Sequence, residues 1–209
     1  MSVGFRRTGL RLGLLGLLVA SVMVTALLAG SAAAAGDVTC TGGSNNPLTG
    51  KIAANVVVPA GASCRIHGTV SGNVTALAGA QVGIRSGSTI RGNYTCTSCT
   101  FADLHGSTIG GNVVIRGETD GSFIDGSTIK GNLQIDSSNS VAANEDAFSI
   151  GTAELPNKIS GNLLFTNNTG GPSTIVNNAI AGYLTCQNNA PAPASSGNTA
   201  ESFRGQCAA

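Results

Sequence analysis

Apolar residues alternate with polar ones in short runs along most of the chain, as in Ile109-x-Gly111-x-Val113-x-Ile115. A period of two is the spacing of a strand with Ile, Val and Gly facing inward, and nothing in these runs keeps helical spacing. The runs belong to a longer repeat. Thr69-Val-Ser-Gly-Asn-Val returns at Thr89, at Thr108, at Thr128 and as Lys158-Ile-Ser-Gly-Asn-Leu. Lys51-Ile-Ala-Ala-Asn-Val opens the series and a degenerate Ala179-Ile-Ala-Gly-Tyr-Leu closes it. The motif glycines 72, 92, 111, 131, 161 and 182 are spaced by 20, 19, 20, 30 and 21 residues.

A unit of about twenty residues with short strands cannot bury its own apolar face, so successive units must stack. The repeat therefore predicts an all-β fold, a single-stranded parallel β-helix of about seven coils with rungs ~4.8 Å apart. A left-handed helix wants strict six-residue steps. The variable coil lengths and the four-residue step from Ile109 to Val113 favour a right-handed β-solenoid. The expected division is a leader over 1–35, an N-terminal cap over 36–50, the solenoid over 51–186 and a Pro-rich C-terminal cap over 187–209.

The leader is read from charge and hydropathy. Arg6, Arg7 and Arg11 precede an uncharged run from Leu12 to Ala35 that ends Ala33-Ala34-Ala35. A basic start, an apolar middle and a small-residue exit describe a secretory signal peptide. The run approaches membrane-spanning length, so an uncleaved anchor is the alternative. Arg6-Arg7 suggests twin-arginine export, but Gly9 stands where that signal wants a bulky apolar residue. No Cys follows the run in a position suited to lipidation.

Past the leader, eight basic residues face ten acidic ones, a net charge of −2. Without a basic stripe this is a poor nucleic-acid binder. The six cysteines, 40, 64, 96, 99, 186 and 207, all lie in the exported part. An even count outside the cytoplasm reads as disulfides, with fifteen pairings open. Proximity favours Cys40–Cys64, Cys96–Cys99 and Cys186–Cys207. Cys96-Thr-Ser-Cys99 has redox spacing, yet a strand-and-turn coil lacks the helix N-terminus that activates such thiols, and no second pair for zinc is present. No cofactor or metal is expected.

The opening from Cys40 through Asn55-Val-Val-Val-Pro-Ala-Gly-Ala-Ser-Cys64, the repeated Thr-Ile/Val-x-Gly-Asn and the close from Gly182-Tyr-Leu-Thr-Cys186 to Cys207 resemble a group of small secreted actinobacterial proteins. Their repeats are similar to those of bactofilin-like polymer-forming solenoids. The resemblance covers nearly all of the chain past the leader, and implies a β-helix and no established activity. It implies a first disulfide, Cys40–Cys64, bracketing the N-terminal cap and a last one, Cys186–Cys207, tying down the C-terminal segment. Cys96 and Cys99 lie outside the pattern.

Aligned on the motif, the coils stack residues into columns. Asn55, Asn73, Asn93, Asn112, Asn132 and Asn162 follow the scaffold's own period, which marks an amide ladder beside a Gly that relieves crowding. His67, Arg85, His105 and Asp125 form a second, outward column behind inward Ile66, Ile84, Leu104 and Ile124. In it His105 and Asp125 sit one rung apart, the chain's single acid–base constellation and equally a surface ion-pair ladder. Clustered acids of the kind β-helical polysaccharide enzymes need are missing. Tyr94 and Tyr183 are expected inward, leaving no aromatic sugar platform. A Thr column at 69, 89, 108 and 128 raises ice binding, but Ser71, Arg91, Gly110 and Lys130 beside it make a narrow, uneven face. The insertion carrying Glu145, Asp146, Phe148 and Glu154 is the expected contact loop. The expected function is a secreted, non-enzymatic structural or surface-interaction scaffold, with carbohydrate binding or turnover as the alternative and ice binding third. Its partner would be extracellular or in the cell wall, and the chain a monomer or weak lateral oligomer without a membrane span.

Overall fold

The computed structural model describes residues 36–140 and 147–208. The expected leader over 1–35, and Glu145 and Asp146 of the expected contact loop, lie outside the described residues. The described chain is all-β and parallel throughout, a β-solenoid of about eight turns. One nine-stranded sheet runs up one side of the stack. Its central strands are Val56–Val58, Val74–Ala76, Tyr94–Thr97, Val113–Arg116, Leu133–Asp136, Leu163–Thr166 and Tyr183–Gln187. A thirteen-stranded sheet forms the other two sides, which the long strand Ser63–Val70 joins. Its longer arm includes Gln81–Ile84, Phe101–His105 and Gly121–Asp125, and its shorter arm repeats the two-residue Thr-Ile strands.

Apolar side chains stack column on column inside this coil. Ile66, Ile84, Leu104 and Ile124 stand in register and are fully buried, as their alternation requires. Val70, Ile90, Ile109 and Ile129 form a second buried column, and Val56, Val74, Tyr94, Val113 and Leu133 a third. The seven expected coils become about eight turns because both terminal segments contribute rungs. Val38–Thr39 pairs with Val56–Val57, and Leu48–Ile52 with Ile66–Val70. At the other end Ala194–Ser196 and Ser202–Gly205 pair onto the last full coil, so the Pro-rich segment is itself a rung.

Three polar ladders hold the turns. Each motif Asn accepts, through Oδ1, the N–H of the Asn one coil on, at 2.8–2.9 Å from Asn55 to Asn132. Two further ladders run inside. Ser107, Ser127, Asn157, Asn178 and Asn198 link coil to coil at one corner. Glu118, Ser138, Asn168, Asn189 and Gln206 do so at another. Because a buried N–H or C=O left unpaired costs about 1–3 kcal/mol, these side chains replace the strand ladder where the backbone turns. The residue before each rung of the last ladder has positive φ, at Gly117, Ser137, Asn167, Asn188 and Gly205, which explains the Gly, Ser and Asn there.

All three cysteine pairs are disulfides, Cys40–Cys64, Cys96–Cys99 and Cys186–Cys207. The outer two pin the first and last rungs. In a stack where each rung touches only its neighbours, losing such a pin should fray one end rather than melt the whole. Replacing Cys186 and Cys207 together by Ser is expected to remove about 2–3 kcal/mol from the terminal rung. Hydrogen exchange should then accelerate over residues 187–208 while the core coils stay protected. Uniform loss of protection would contradict this.

Candidate functional site

Along the longer arm of the thirteen-stranded sheet, outward positions line up as rungs. Ser63 and Arg65 stack on Gln81 and Gly83, these on Phe101 and Asp103, and Asp103 on Phe123. At the next outward position His105 stands opposite Asp125. The expected column thus exists, but its members behave differently. His105 Nδ1 lies 2.6 Å from Asp125 Oδ1, an imidazole–carboxylate hydrogen bond one rung long. Arg85 leaves the column diagonally and pairs with Asp103 in the next coil. Gly83 permits this: a Cβ there would stand 3.3 Å from the Arg85 guanidinium, so the bare backbone lets the side chain lie across the sheet. His67 stays apart, at a corner hollow with Gly50, Lys51, Ser86 and Gly87.

Burial raises the carboxyl of Asp103 above the usual range, Arg85 and His105 lower it, and Asp125 raises it further. The cluster is a half-buried network of two acids, one Arg and one His. Asp125 orients the imidazole and leaves Nε2 on the far side of the ring, which is the geometry an acid–base pair needs. Among the described residues, no group of three or more His, Cys, Asp or Glu is placed to hold a metal ion.

Phe101 and Phe123 flank this network, their rings 5.7 Å apart and tilted by 54°. Phe123 is 39% exposed. Sequence reasoning looked for an aromatic platform among the tyrosines and missed this pair. The signal was there: both Phe residues stand at outward parity, two before Asp103 and Asp125 respectively. Tyr94 is inward and fully buried, as expected. Tyr183 is not: it stands in the Asn column, where its N–H meets Asn162 Oδ1 at 3.1 Å, and Arg204 covers its ring at 4.0 Å. The degenerate motif Gly-Tyr shifts no register; it exchanges an amide for a ring.

The expected contact loop also changes character. Phe148 is a core residue with no exposed surface, packed edge-on to Phe165 at 5.4 Å. It is in register with Ser122, so it fills the core width that a serine leaves. Glu154 remains exposed. The Thr column keeps its register, Thr69 to Thr89, Thr108 and Thr128, with Lys51 and Lys158 at its two ends.

A hollow of about 350 Å³ opens beside the aromatic–ionic face. The loop Gly43-Ser44-Asn45 walls it on one side and Arg85 and Phe101 on the other, over Gly83 and Val82. Arg65 and Gln81 project along it. Arg65 N–H donates to Gly42 O at 2.9 Å and Cys64 is tied to Cys40, so backbone and disulfide both fix that wall.

The aromatic–ionic cluster and the hollow therefore lie on one side of the solenoid, along the rungs from Ser63–Val70 to Gly121–Asp125. Comparison with protein-family models, curated proteins and solved structures returned no match.

Proposed function

We propose that the protein is an exported, non-enzymatic β-solenoid that acts as a surface-interaction scaffold outside the cell, through its side rather than its ends. The observation that carries this reading is the concentration of Phe101, Phe123, Arg85, Asp103, His105 and Asp125 on one lateral face. Elsewhere the repeated columns follow the scaffold's period and serve its hydrogen bonding. Three disulfides suit an oxidising compartment, and the basic, apolar N-terminal segment suits export.

Open solenoid ends are templates for further rungs, and polymer formers use them. Here each end rung is pinned by a disulfide. Light scattering on the oxidised chain lacking residues 1–35 is expected to give a monomer mass, with assembly only after reduction. Filaments from the oxidised protein would overturn the reading. Carbohydrate binding is the second reading, favoured by one observation, the aromatic pair beside the hollow.

A further inference from the structure

The hollow between the Gly43–Asn45 loop and Phe101 has the marks of a built recognition site. It is rigid, since the Cys40–Cys64 bridge and the Arg65–Gly42 backbone bond set its wall. Its volume, about 350 Å³, falls at the lower end of the range of small-molecule sites. Its floor is sheet face, with Cys64 to Ile66 bonded in register to Val82 to Ile84 and these to Ala102 to Leu104. At Ser63–Arg65 the edge of that floor is met by the Gly42–Asn45 loop rather than by a strand, with Arg65 N–H bonded to Gly42 O. Recognition must come from side chains.

Those side chains are of a particular kind. Asn45 and Gln81 supply planar amides, Ser44 and Ser63 hydroxyls, the latter donating to Gln81 Oε1, and Phe101 an aromatic ring beside Phe123. Planar hydrogen-bonding groups beside an aromatic ring suit a polyhydroxylated ring, whose C–H face is apolar and whose rim is polar. Charge then narrows the class. Arg85 is neutralised by Asp103, whereas Arg65, stacked on Gly83, makes no ion pair among the described residues. An Arg with its fork free beside a ring site calls for a carboxylate or similar oxyanion. Past residue 35 the net charge is −2 and the basic residues are spread along the chain, so nucleic acid meets no basic stripe.

We propose that this hollow binds an acidic oligosaccharide, with Phe101 packing on a sugar ring, Gln81 and Asn45 holding its hydroxyls and Arg65 pairing with its carboxylate. The proposal rests on the reading of this face as the contact surface and names what it contacts.

Isothermal titration of the oxidised chain lacking residues 1–35 with trigalacturonate, galactotriose and inorganic phosphate tests it. Trigalacturonate should bind about tenfold or more tightly than galactotriose, the worth of one good ion pair. Arg65→Gln should abolish that preference. Phe101→Ala should weaken both sugars, and Arg204→Gln, on the Tyr183 ring far along the chain, should change neither. Far-UV circular dichroism confirms the fold of each variant. Equal affinity for the two sugars, no binding of either, or an acidic preference that survives Arg65→Gln would overturn the proposal. So would phosphate binding as tightly as trigalacturonate, which would reduce the site to an anion hole. A monomer in light scattering that binds neither sugar would leave the lateral scaffold standing without this ligand, whereas filaments would remove the scaffold reading itself.

Discussion

Gly131→Ala should destabilise the protein by about 3–4 kcal/mol, more than any single surface change. A Cβ at this position would stand 2.5 Å from Asn112 Oδ1 and 2.8 Å from the carbonyl carbon and oxygen of Gly111. None of these atoms can give way cheaply. Asn112 Oδ1 accepts the N–H of Asn132 at 2.8 Å, and Gly111 O accepts the N–H of Gly131 at 3.0 Å. The methyl group must therefore push two coils apart or rotate an amide out of its ladder, at the loss of about 1 kcal/mol per hydrogen bond besides the strain. Asn112→Ala alone should cost less, about 1–2 kcal/mol, because it removes one acceptor without a clash. The double variant should be less destabilised than the sum, since half of the collision disappears with the amide. Urea unfolding followed by far-UV circular dichroism measures all three. Strict additivity would show that the Gly and the Asn are not one device.

That coupling is why the fold was so legible. Gly-Asn recurs because each Asn oxygen occupies the space above the next Gly, so a steric fact repeated coil after coil became a written motif. The inward columns were equally plain: Ile66, Ile84, Leu104 and Ile124 keep parity with one another, and a one-residue slip would turn every one of them outward. His105 opposite Asp125 followed from the same register.

What escaped was whatever the period does not govern. Arg85 was assigned to a vertical column, but its long side chain crosses the glycine at 83 to reach Asp103. Register places Cα atoms; it does not aim a side chain of four torsions. Phe148 was read as part of a contact loop because it follows an irregular insertion, yet it re-enters the core opposite Ser122. The end segments lack the Thr-Ile-x-Gly-Asn motif and were read as caps, although the backbone needs only strand pairing to add a rung. Glu118 carries no motif of its own. It follows Gly117 as Ser138 follows Ser137 and Asn168 follows Asn167, an inner polar position visible only once the ladder is seen.

Glu118 should make this protein lose stability as the pH rises through neutrality. The residue has no exposed surface, and its carboxyl is pushed up to about 8, first by burial and further by Asp120, against hydrogen bonds from Ser122 Oγ and the Ala102 N–H that favour the anion. Among the described residues its Oε1 and the nearby buried Tyr94 Oη have no hydrogen-bond partner. Burial, then the charges of Glu118 and Asp103, raise the Tyr94 phenol as well, and among the described residues no cation lowers Glu118. A folded-state value above the unfolded one means that the native protein binds this proton more tightly. The contribution is complete below about pH 4.5 and is lost as the pH climbs to about 8. At about 1.4 kcal/mol per unit, the whole span is worth about 5 kcal/mol. Asp103, raised by burial, slopes the same way. Asp136 slopes oppositely: burial is outweighed by hydrogen bonds from Asn167, Thr166 and Ser137 and by Arg116, so its contribution is lost only as the pH falls below the ordinary carboxylate range. Stability should therefore peak at about pH 4–5 rather than near neutrality. Glu118→Gln keeps an oxygen for Ser122 and Ala102 but cannot ionise. Urea midpoints at pH 5, 7 and 9 should fall steeply for the native chain and much less for this variant, with the variant the more stable at pH 9. Parallel slopes for the two proteins would place the alkaline sensitivity elsewhere.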